Sequence, residues 1–137
     1  MKIAKNVVYE EHVEAKTLPG RDLRWLFTPE SGVSESFSLN VVEIKPGNTV
    51  KPAHSHPNHE ELIYVVSGEG EACIDGEIFP IRTGTAVLFP KKSIHQLRNN
   101  GSHNVKVACF FVPQATMADY TFHEEDTFPN KSTKNSI

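Results

Sequence analysis

Three histidines, His54, His56 and His59, fall within six residues, and Glu60 and Glu61 follow directly in the segment PAHSHPNHEELIYVVSG. Imidazole nitrogens and carboxylate oxygens are donors that divalent transition metals take from proteins. Side chains two apart on an extended strand share a face. His54 and His56 therefore point the same way, and their nitrogens can converge on one point. A further imidazole, His95, opens a later strand after Pro90 and a short turn. Three neutral imidazoles and one carboxylate suit iron, manganese, nickel, copper or zinc. On a six-coordinate ion they leave two positions for water, substrate or dioxygen. Taken singly, each histidine is more often a surface or hydrogen-bonded residue than a ligand; the pattern as a whole carries the argument.

The elements that must position these groups are strands. Helical periodicity is hard to find. Short alternating or β-branched runs recur instead, at Leu23 to Phe27, Ser36 to Ile44, Glu61 to Ser67, Glu71 to Ile74, Glu77 to Ile81, Thr85 to Phe89, Ile94 to Arg98 and Val105 to Phe111. Turn residues stand between them. Asp75-Gly76 is the clearest, because both central positions of a type I′ hairpin need positive φ. Many short, evenly spaced strands predict a closed all-β barrel or a two-sheet sandwich. Within the Glu61 strand, an inward Glu61 takes Ile63 and Val65 with it and leaves Leu62, Tyr64 and Val66 outside. An inward Glu60 reverses that parity. Both faces are apolar, so hydrophobicity alone does not choose between the two glutamates.

The stretch from Gly47 to Asn99 resembles the two motifs of the cupin superfamily. The first motif runs Gly, five residues, His-x-His, three or four residues, Glu, six residues, Gly. Here six residues separate Gly47 from His54, four separate His56 from Glu61, and six separate Glu61 from Gly68. The second motif runs Gly, five residues, Pro-x-Gly, two residues, His, three residues, Asn, which Gly84, Pro90, His95 and Asn99 match in spacing. Lys92 departs from it where the family usually has Gly. If that turn needs a left-handed backbone, a lysine there costs on the order of 1 kcal/mol. The resemblance implies a double-stranded β-helix (jelly-roll) barrel with the metal inside, held by His54, His56, Glu61 and His95, and frequent dimerisation. The spacing to Gly68 selects Glu61 over Glu60. His59 and Glu60 then fall at the barrel mouth, as solvated loop residues or with His59 as an accessory acid or base.

Length and charge bound the rest. At 137 residues the chain is expected to form one domain, with a barrel core at about 23–113, an N-terminal arm at 1–22 and a C-terminal tail at 114–137. That tail is expected to lie over the surface or fray, with Tyr120, Phe122 and Phe128 as candidate anchors. A net charge of -3 argues against nucleic-acid binding by bulk electrostatics. No apolar run approaches the roughly 20 residues of a membrane helix or a signal-peptide core, so a cytoplasmic protein is expected. Cys73 and Cys109 lie in apolar stretches and read as buried thiols. Arg24 and Arg98 are candidate anchors for an anionic substrate, although Arg98 falls on the wrong parity relative to His95. The outward row of Leu62, Tyr64 and Val66 needs cover, which predicts a homodimer. Functionally, the pattern points to a metal-dependent enzyme acting on a small polar metabolite by dioxygenase, isomerase, decarboxylase or lyase chemistry. The rival reading is a small-molecule binding or sensing module without catalysis. A storage role with an incidental metal is a third.

Overall fold

The computed structural model describes residues 5–124, 127 and 128. Among these residues, eleven strands form two antiparallel sheets. They are β1 (Lys16–Leu18), β2 (Arg21–Phe27), β3 (Ser38–Ile44), β4 (Ala53–Ser55), β5 (Glu60–Ser67), β6 (Glu69–Ile74), β7 (Glu77–Arg82), β8 (Ala86–Phe89), β9 (His95–Arg98), β10 (Val105–Val112) and β11 (Thr121–His123). One sheet runs β1-β2-β3-β10-β5-β8 and the other β11-β4-β9-β6-β7. Consecutive strands often lie in different sheets, which gives the jelly-roll arrangement.

Alternation decides which side chains meet between the sheets. On β5, Glu61, Ile63 and Val65 are buried while Leu62, Tyr64 and Val66 are each more than 40% exposed. On β10, Val105, Val107, Cys109 and Phe111 point inward, and Leu23, Val42 and Ile44 complete the same core from β2 and β3. Cross-strand pairing fixes the register, with Glu61 opposite Phe111 on one side and Phe89 on the other. A one-residue slip would put Glu61 in solvent.

The turns that hold this register are chemically specified. Asp75 and Gly76 both have positive φ, as the hairpin requires. Gly68 sits at φ 92 between β5 and β6, where an added Cβ would collide with the Asn104 carbonyl oxygen. Lys92 also has positive φ, at 71. The left-handed turn of the cupin pattern is therefore kept with a lysine in the glycine position. Its backbone N–H donates to the carbonyl of His56 at 3.0 Å, so the turn is tied to the strand that carries the candidate ligands. Asn99 closes the second motif. Its Nδ2 donates to the carbonyls of Ile44 and His103, and its Oδ1 accepts from Gly101 N–H.

The chain on either side of the expected core is also built in. β1 pairs with β2, and β11 pairs with β4 through Phe122 and His54. Tyr120 acts as one of the expected anchors of the tail, because its ring packs against the core next to the histidines. Three-residue strands carry no period from which alternation can be read, and the partners of β4 and β11 are far away in sequence.

Candidate metal centre

His54 and His95 are direct cross-strand partners on β4 and β9, and His56 follows just beyond the end of β4. Glu61 enters from β5 in the opposite sheet. All four side chains are buried, and one donor atom from each lies within 4.8 Å of the others. The Nε2 atoms of His56 and His95 both stand 3.0 Å from Glu61 Oε1. Adjacent ligand atoms on a six-coordinate ion with bonds of about 2.1 Å would be about 3.0 Å apart, so the spacing fits a shared cation. The donor set, three imidazoles and one carboxylate, suits a divalent transition metal.

Backbone carbonyls orient two of the rings. His54 Nδ1 lies 3.2 Å from the carbonyl of Pro52, and His95 Nδ1 lies 3.1 Å from that of Ser93. A proton on Nδ1 donates to each carbonyl and leaves Nε2 with its lone pair facing the cluster, the tautomer a ligand needs. Phe89 stacks on His95 with centroids 4.0 Å apart, and Phe111 meets His56 edge-on at 5.1 Å. These contacts restrict ring rotation.

The electrostatics favour a neutral His54 beside an ionised Glu61. Burial first, and then His95, push His54 down to about 3, against the opposing pull of Glu61. Burial is also the largest influence on Glu61 and pushes its carboxyl upward. The hydrogen bonds and charges of His56 and His95 outweigh it and hold the group well below the usual carboxylate range. Burial raises the Cys109 thiol well above its ordinary value, and nearby Glu61 raises it further. Cys109 is therefore a protonated thiol at neutral pH, and both cysteines are buried and free.

The four residues singled out by spacing are thus together, and several neighbours differ from expectation. His59 is buried rather than solvated, lies outside the four-residue cluster, and its Nδ1 has no partner among the described residues. Glu60 is exposed at the start of β5. Arg24 turns away from the site, donating to the Val13 carbonyl and pairing with Glu43 at 3.6 Å. Arg98 is bound to Glu71 and lies 4.2 Å over the Phe128 ring, which makes it structural. Two residues that sequence reading did not place at the site do line it. Tyr120 stacks on His54 with centroids 5.2 Å apart and meets His56 edge-on at 4.4 Å. Arg21 reaches the same cavity from β2. The parity of β2 carries the signal for Arg21, because it shares the inward face with Leu23.

A cavity of about 30 Å³ adjoins the cluster, walled by Arg21, Asn40, Cys109, Tyr120 and apolar side chains. That is room for about one water molecule.

Residues 40–112 match the family model described as Cupin domain. The polyketide synthase CurC of Streptomyces cyaneus is 32% identical over 83% of this chain and 73% of its own length. Among solved structures, the ectoine synthase from P. lautus aligns with a TM-score of 0.69 at 26% identity, covering 85% of this chain and 88% of that one. A predicted oxalate decarboxylase from Thermotoga maritima shares the fold at a TM-score of 0.71 and 18% identity, over 78% of this chain and 98% of that one. With both motifs in register on a jelly roll of the matching topology, the chain belongs to the cupin domain family.

Proposed function

We propose that the chain is a metal-dependent enzyme of small-molecule metabolism, with a divalent transition metal held by His54, His56, Glu61 and His95. The observation that carries this reading is the convergence of four buried donors within 4.8 Å. A bound divalent ion would supply Lewis-acid polarisation of a substrate oxygen, as in dioxygenase, isomerase, decarboxylase or lyase chemistry. The chain's own residues keep bulk water out, fix the tautomers of His54 and His95 and present a polar wall beside the ligands. Relatives named for polyketide and ectoine synthesis support an enzyme over a sensor. Elemental analysis of protein purified without added metal should find close to one first-row transition ion per chain. Aerobic and anaerobic turnover screens with small organic acids and phenols should then yield activity that a chelator abolishes. A chain that is metal-free after purification and takes up none on dialysis against iron, manganese, cobalt, nickel, copper or zinc would refute the reading.

The same reading includes a homodimer. Leu62, Tyr64, Val66 and Leu88 are 43% to 50% exposed on neighbouring strands β5 and β8, and Leu62 and Leu88 are cross-strand partners. The segment before β1 is engaged by the neighbouring strands, where Glu10 pairs with Lys106 of β10 at 2.8 Å and Arg24 of β2 donates to the Val13 carbonyl. A second copy packed over the β5–β8 face would cover the apolar row, with at least about 1,600 Å² buried in total. Light scattering should give twice the 15.3 kDa chain mass at micromolar concentration. Tyr64→Glu should shift the protein to monomer, and a wild-type monomer across that range would dismiss the dimer.

A further inference from the structure

Arg21 is a buried cation that makes no ion pair among the described residues, although the Glu61 carboxylate in the same cavity acts on it at longer range. Its side chain runs inside the barrel, and only Nη1 is engaged, donating to the carbonyls of Pro19 at 3.1 Å and Lys51 at 3.0 Å. No carboxylate among the described residues forms an ion pair with it. Nε and Nη2 have no protein partner among those residues, and the side chain lines the cavity beside His54, Glu61 and His95. Burying an unpaired guanidinium is costly, so a fold that keeps one there gains from an anion that arrives later. Two backbone carbonyls pin one side of the planar fork and leave donors for the bidentate geometry that guanidinium offers carboxylates.

A second unfilled group lines the same cavity. Asn40 Oδ1 is buried with no hydrogen-bond partner among the described residues. An acceptor left unpaired in a closed space is costly and calls for a donor. The charge balance points the same way as Arg21. A divalent ion held by three neutral imidazoles and one carboxylate keeps a positive charge, and the guanidinium adds another.

We propose that Arg21 and Asn40 form the recognition subsite of this centre, and that its substrate class is a small carboxylate bearing a hydroxyl group next to the anion. The carboxylate lies on the free edge of Arg21, the hydroxyl donates to Asn40 Oδ1, and the ligand's oxygens face the metal positions left open by the four protein donors. This rests on the metal-centred reading above. The cavity of about 30 Å³ is smaller than such a ligand, so entry displaces the half-buried Tyr120 ring that covers the cluster.

The test uses Zn²⁺- or Co²⁺-loaded full-length protein with glycolate, glycolamide and acetate as probes. Calorimetry on the Co²⁺ form should show glycolate binding weakened at least 30-fold by Arg21→Met and partly restored in Arg21→Lys, with glycolamide affinity unchanged across the three. Asn40→Leu should abolish the preference for glycolate over acetate. If the substitutions prevent folding, wild-type Zn²⁺ protein still decides the matter. The Arg21 Nε–H resonance should move downfield on adding glycolate and stay in place with glycolamide. Glycolate affinity equal in wild type and Arg21→Met, or an Arg21 resonance that ignores glycolate, overturns the subsite while leaving the metal centre standing. Failure to take up either metal overturns the centre itself, before any probe is added.

Discussion

Substituting alanine for His56 should leave a folded chain that has lost most of its metal. His56 is 2% exposed, its Nε2 is 3.0 Å from Glu61 Oε1, and its ring is wedged between Phe111 and Tyr120. Removing one of four protein donors should weaken metal binding by about 100-fold or more, equivalent to about 2.7 kcal/mol. A ligand bound only by the folded state stabilises it by mass action, so the melting temperature in saturating metal should drop by the same free energy. For a chain of this length that is on the order of 10 °C. In chelator the difference should shrink to the cost of a small cavity. Full metal stoichiometry in His56→Ala would take His56 off the ligand set.

The same centre sets a pH dependence whose sign is fixed by the imidazoles and the carboxylate together. His54 is held down to about 3 in the folded state, whereas an unfolded histidine takes its proton near ~6.5. Between those values the unfolded chain binds more protons, so stability falls as pH falls through that window. Glu61 is also depressed, so its contribution is present above the ordinary carboxylate range and is lost below it. Protons compete with a metal for the same nitrogens. Metal should therefore leave during dialysis at about pH 5, and the melting temperature should fall steeply over the same range.

How much of this was legible in the chain depends on the length over which a pattern repeats. The parity of β5 was readable because Glu61, Ile63 and Val65 alternate through an eight-residue strand, and the distance to Gly68 broke the tie between two adjacent glutamates. His54 and His56 were readable because two residues apart means one face. The three-residue strands β1, β4 and β11 offered no such repeat. Tyr120 reaches the site through a contact with His54 sixty-six residues earlier, which no local spacing encodes. Arg21 escaped for a different reason. The strand was read as starting at Leu23, which left Arg21 outside the alternation, while Arg24 drew notice although its position one residue past Leu23 aims it outward. The family pattern raised a left-handed backbone at Lys92 only as a condition, and lysine, a residue that rarely adopts positive φ, gives no signal for the one observed.

Glu61→Gln and Glu60→Gln should separate by their effects on metal although the residues are neighbours. Glu61 is 5% exposed and offers Oε1 to two imidazoles, whereas Glu60 is exposed on the opposite face of β5. Glutamine keeps the size and shape of glutamate but lacks the negative charge, so a cation at position 61 would lose its only anionic protein donor. Metal affinity should fall by at least tenfold, or about 1.4 kcal/mol, in Glu61→Gln. In Glu60→Gln it should stay within about threefold, because that side chain lies across the strand from the cluster. Melting temperatures should repeat this ranking with metal present. In chelator the Glu61→Gln deficit should be smaller, since only the contacts with His56 and His95, partly offset by the desolvation of the carboxylate, are then weakened. The reverse ranking, with Glu60→Gln releasing the metal, would require β5 to slip by one residue. Ile63 and Val65 would then face solvent, Leu62 and Tyr64 would fill the core, and both the metal centre and the apolar dimer face would have to be abandoned together.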